Sequence, residues 1–161
     1  MMRARTRVWV VVAVLVLLHF LLHVGLGVRH AAPDLLTVAL LLAAREVGVG
    51  TAAGLGLAMG LLEDALSVAS FGANAVAMTV VGLLGAVTRS LFVGDSLVFL
   101  VSYFVIGKWV RDLVAWLAMG EALRQPFADQ VLVQGFLGGV YAAVTGIVVL
   151  TVSGLWRETS R

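Results

Sequence analysis

Charge is almost absent from this chain except at a few breaks, and those breaks constrain its fold more than any other feature. They divide it into six apolar runs: Val8 to Val28, Asp34 to Ala44, Val47 to Leu62, Ala73 to Thr88, Leu97 to Ala118 and Val131 to Gly154. The separators read "RHAAP", "RE", "EDALSVASFG", "RSLFVGD" and "MGEALRQPFADQ", rich in the charges, glycines and prolines that end helices. Only 12% of residues are charged and 61% are hydrophobic, against about 25% charged in an ordinary soluble domain. The reading is an all-α integral membrane protein: residues 1–161 form one multi-pass domain, a bundle of about six transmembrane helices.

Orientation follows from the arginines. Arg3, Arg5 and Arg7 precede the first run, and Arg157 and Arg161 follow the last, so both ends are expected on the cytoplasmic face. An even number of crossings satisfies this, and it leaves Arg45 and Arg89 inside as well. The second run is short enough to be a re-entrant or steeply placed helix, which would give five spans. About 20 residues from Val8 to Val28, with no small-x-small site after them, read as a retained span and not a cleaved leader.

Composition excludes several function classes. The arginines sit singly at run ends and form no basic patch interleaved with aromatics, so nucleic acid is not an expected partner. Cysteine is absent, which removes disulfides and thiol chemistry. His19 and His23 lie one helical turn apart without a third ligand in sequence, and Ser67 and Ser70 lack a neighbouring base. Neither a catalytic constellation nor a metal or other cofactor is expected.

The informative stretch is "GLAMGLLEDAL". Ala52, Gly56 and Gly60 recur every fourth residue in register with Asp64, spacing that brings helix backbones close together in lipid. Gly50 with Gly54, Gly82 with Ala86 and Gly135 with Gly139 repeat the device. The fifth run carries Lys108, Arg111 and Asp112 inside hydrocarbon, where each charge costs about 2.5–3.5 kcal/mol unless it faces a bundle interior or a partner. At about 1.5 Å per residue, Asp64 lies roughly 25 Å above Val47 and Arg111 roughly 21 Å above Leu97. Glu63 and Asp64 are therefore expected to face Lys108 and Arg111, with Asp112 and Asn74 completing a network. The bland alternative has the carboxylates marking the outer membrane boundary while Lys108 snorkels.

The stretch from Pro33 to Val87, with its Pro-led run, charged turn, "GLLEDAL" and Phe71-Gly72, resembles the MreD family of bacterial rod shape-determining proteins, and the later "VRDLVAWL" fits it too. The family pattern touches Pro33, Gly60, Asp64, Gly72 and Asp112; Glu63, Lys108 and Arg111 rest on depth alone. The resemblance implies a fold similar to the substrate-capture subunits of energy-coupling vitamin transporters. It implies a non-enzymatic scaffold of the cell-wall elongation complex in the inner membrane, beside MreC, RodA and its penicillin-binding transpeptidase, and MreB, among membrane lipids. The competing function is a substrate-binding subunit of such a transporter, with Glu63, Asp64, Asn74, Arg111 and Asp112 as a small charged pocket.

Overall fold

A computed structural model describes residues 2–22, 34–66, 72–91 and 96–155. All regular structure among them is helical: α1 (Met2–Phe20), α2 (Leu35–Ala44), α3 (Val49–Ala65), α4 (Ala73–Leu91), α5 (Leu97–Ala118) and α6 (Gly135–Val152). A π-helical segment, Ala128–Gln134, runs directly into α6. Together they make one helix of 25 residues, long and apolar enough to cross a membrane. α5 has 22 residues but carries three ionised side chains.

α2 forms the centre of the bundle. Its sequence, "LLTVALLLAA", is apolar all round, and such a helix has no face to give to water. All ten of its residues are buried, beneath α1, α3, α4, α5 and α6. Ten residues rise only about 15 Å, half of the roughly 30 Å of a hydrocarbon core. The second run is thus a half-length core helix and not a full span by itself. Asp34 starts it, accepting the Thr37 backbone N–H at 3.0 Å and the Thr37 hydroxyl at 2.7 Å.

The glycine ladder of α3 lies against α4. A Cβ on Gly60 would fall 2.5 Å from the Ala75 Cα, one on Gly56 would strike the Met78 carbonyl, and one on Gly82 would strike the Ala52 carbonyl. The order of these contacts, 52 with 82, 56 with 78 and 60 with 75, makes α3 and α4 antiparallel. Gly139 meets the Val105 carbonyl and Gly146 the Phe104 ring, so α5 and α6 also run antiparallel. From α2 to α6 the helices alternate in direction. Gly50 and Gly54, the second expected pair, have no atom within 4 Å of an added Cβ and take no part in packing.

Gly56→Val is therefore expected to destabilise the bundle by about 1–3 kcal/mol, the usual range for overpacking against atoms that cannot yield. Gly54→Val should be nearly silent. Thermal unfolding of the two variants in one detergent checks the contrast.

The outward faces are apolar. Leu17, Leu62, Val76, Val98, Leu137 and Val152, from five helices, are all at least half exposed. Tyr103, on the inward face of α5, ties the core together by donating its hydroxyl to the Leu41 and Gly85 carbonyls. Arg124 closes the far end of α5, donating to the Leu117 and Met119 carbonyls and lying over the Trp116 ring.

Candidate functional site

At the end of the bundle where α2 and α4 begin and α3 ends, charged residues of α2, α3 and α5 meet beside the Asn74 amide of α4. Arg111 is the hub. One terminal nitrogen of its guanidinium bonds the Asp34 carboxylate; the other donates to Glu63 at 2.5 Å and to the Asn74 side-chain oxygen at 3.3 Å. A planar fork with several donors suits such divergent acceptors better than an ammonium would. Lys108, one turn earlier, pairs with Asp112 on its own helix and reaches Asp34 at 3.6 Å. Both cations are buried, at 8% and 9% exposure, so neither charge faces the surroundings unaided.

Of the residues expected at this site, Glu63, Asn74, Lys108, Arg111 and Asp112 come together. Asp64 does not join them. Its carboxylate, 1% exposed, accepts backbone N–H groups from Gly72 at 2.9 Å, Asn74 at 3.2 Å and Ala75 at 2.9 Å. These lie at the start of α4, where helix geometry leaves N–H groups without a partner. Asp64 caps α4 from another helix, and negative charge there also complements the helix dipole. No ion pair within 4 Å joins it to Lys108 or Arg111 among the described residues.

The rest of "GLLEDAL" follows from this cap. Gly56 and Gly60 let α3 approach α4 closely enough for a short aspartate to reach the N-terminus. Gly72 turns the chain with φ of +96°, a left-handed conformation that a side chain would strain.

Asp34 is the residue that sequence reasoning left out of the network. In sequence it is only the first residue of the second apolar run; an aspartate in that place is a cap signal that could have marked the start of α2, but nothing in it gives the second role as counter-ion to two cations. Asp34, Glu63 and Asp112 set three carboxylates against two cations, an excess of one negative charge. Glu63 Oε2 and Arg111 Nε are buried without a hydrogen-bond partner in the described structure. His19 is buried edge-on to Phe20. His23, one helical turn on, lies outside the described residues, as do Pro33, Ser67, Ser70, Phe71, Arg157 and Arg161.

No curated protein and no solved structure matches the chain. The family of the rod shape-determining protein MreD does, over residues 3–122, a stretch that contains every member of the network and the Asp64 cap. MreD is a family of membrane proteins involved in rod shape determination. With about three quarters of its length inside that match, the chain belongs to the MreD family.

Proposed function

We propose that the protein is a non-enzymatic scaffold of the bacterial elongation machinery, held in the inner membrane as a multi-pass bundle with both termini in the cytoplasm. It binds MreC and helps to position RodA and its penicillin-binding transpeptidase, with MreB on the cytoplasmic side. The observation that carries this reading is the family match across the whole charge network.

The physical features agree with it. Apolar outward faces on five helices suit a lipid environment, since a soluble monomer rarely exposes such contiguous surface. Alternating helix directions and a basic N-terminal turn, with Arg5 and Arg7 exposed on α1, suit cytoplasmic ends. A chain whose described residues are nearly all helix acts through helix faces and short connections, and the network fixes how four helices present those faces. Its one excess carboxylate favours a partner segment that brings a basic or N–H donor to this end of the bundle. Such charge sets register and specificity more than affinity.

Capture of the tagged chain from its native membrane in mild detergent tests the proposal. MreC and the wall synthases are expected among the co-purifying proteins. Recovery of an energy-coupling ATPase with its transmembrane partner would contradict the scaffold and turn the network into a ligand pocket.

A further inference from the structure

A cleft between α4 and α5 belongs to neither the network nor the cap. It is open on one side and has a volume of about 530 Å³, within the range of about 300–1,000 Å³ typical of small-molecule sites. Leu41 of α2 forms its floor; Val81 and Leu84 of α4 and Phe99, Ile106 and Val110 of α5 form its walls. From Ser96 to Val110 it follows α5 for roughly 21 Å, longer than the roughly 15 Å of one leaflet's hydrocarbon. Its open side is apolar, with Ile106 58% and Leu84 42% exposed.

One end differs in chemistry. Thr88 and Ser96, both hydroxyl-bearing, line the cleft where α4 ends and α5 begins. Thr88 donates to the Leu84 carbonyl, whereas Ser96 accepts from the Phe99 N–H, a bond that leaves its own proton uncommitted. Arg89 follows Thr88 in the last turn of α4 and is exposed. Arg45 follows Ala44, whose Cβ lies 3.2 Å from an added Cβ on the lining residue Gly85. The N-terminus of α5 adds its positive dipole end. An apolar slot with a basic, hydroxyl-bearing mouth matches an amphiphile with an anionic head.

We propose that this cleft holds one acyl chain of an anionic phospholipid, with the phosphate at the mouth formed by Arg89, Thr88 and Ser96. The inference rests on the membrane placement proposed above, which puts this mouth at the cytoplasmic leaflet, where basic pockets between helices select anionic lipids. A partner helix fits less well: at about 10–12 Å across with side chains it lays only one face into this half-open slot.

The test reconstitutes the full chain in vesicles of equal parts phosphatidylglycerol and phosphatidylcholine, extracts it in mild detergent and measures retained lipid by native mass spectrometry. Phosphatidylglycerol is expected to be retained over phosphatidylcholine by about fivefold or more, given the worth of one basic residue near an anionic surface. Arg89→Gln should keep the lipid but lose most of that preference. Ser102→Trp, at an exposed lining position, should fill the slot and lose both lipids. Should Ser102→Trp fail to fold, Arg89→Gln carries the test alone. Equal retention of the two lipids by the unaltered chain, or unchanged preference in Arg89→Gln, overturns the proposal. Alkaline carbonate extraction separates the two levels: a chain that washes out of the vesicles sinks the membrane placement, whereas one that stays without lipid preference sinks only this site.

Discussion

Arg111→Met is expected to cost about 3–5 kcal/mol, the range found when one partner of a buried ion pair is removed and the other charge is left behind. Two carboxylates, Asp34 and Glu63, lose their closest cation in this variant, and the Asn74 amide loses its donor. Lys108 compensates little, because it is already engaged by Asp112 and sits 3.6 Å from Asp34. A small helical domain is stable by about 5–15 kcal/mol, so the loss removes a large share of the total. The variant should accumulate poorly in membranes and unfold at much lower temperature in detergent. Adding Glu63→Gln to Arg111→Met should recover part of the loss, since the double variant buries one stranded charge fewer. Arg111→Lys should fall between, keeping the charge but not the fork that reaches three acceptors.

Asp64→Ala is expected to cost about 2–4 kcal/mol: a buried donor left unmade costs about 1–3 kcal/mol, which applies in full to Ala75, while the part-buried N–H groups of Gly72 and Asn74 regain part of their loss from other partners. Asp64→Asn keeps an acceptor but gives up the charge assistance that makes such bonds about twice as strong, so roughly half of the loss should remain. The effect is local. Amide exchange should quicken at Gly72, Asn74 and Ala75, where α4 frays, and stay unchanged around Arg111. Cell shape scored in an Asp64→Ala strain separates a role in partner binding from a role in folding only with protein levels measured alongside.

The two carboxylates of "GLLEDAL" mark where sequence reading succeeds and where it stops. Rise per residue brings Glu63, Asn74 and Arg111 to one level, and the structure brings them into contact. Rise says nothing about direction around the helix. Adjacent helical residues point about 100° apart at 3.6 residues per turn, so Glu63 and Asp64 cannot both turn to α5. The Gly56–Gly60 ladder shares its face with Asp64, and that face packs on α4, so the periodicity already carried the correct assignment. Asp34 is read from the sequence only as the start of an apolar run, and neither its cap nor its counter-ion role is part of that reading. The length and burial of α2 decide how deep its N-terminus sits, and an apolar run of ten residues reads alike as a tilted span and as a half-length core helix. The ends of α5 coincide with the apolar run, because Ser96 caps one end and the Met119-Gly120 break closes the other. α1 begins before Val8 instead, since arginine is a good helix former and the hydrophobic boundary is not a helix boundary.

A pair of double-mutant cycles in detergent is the measurement to make first: Glu63→Gln with Arg111→Met, and Asp64→Asn with Arg111→Met, each followed by thermal unfolding. A coupling of at least about 1 kcal/mol is expected for Glu63 with Arg111, which are in direct contact, and a coupling within about 0.5 kcal/mol of zero for Asp64 with Arg111. The reverse pattern, strong coupling of Asp64 to Arg111 and none for Glu63, would contradict the division of the two carboxylates into an ion-pair partner and a helix cap.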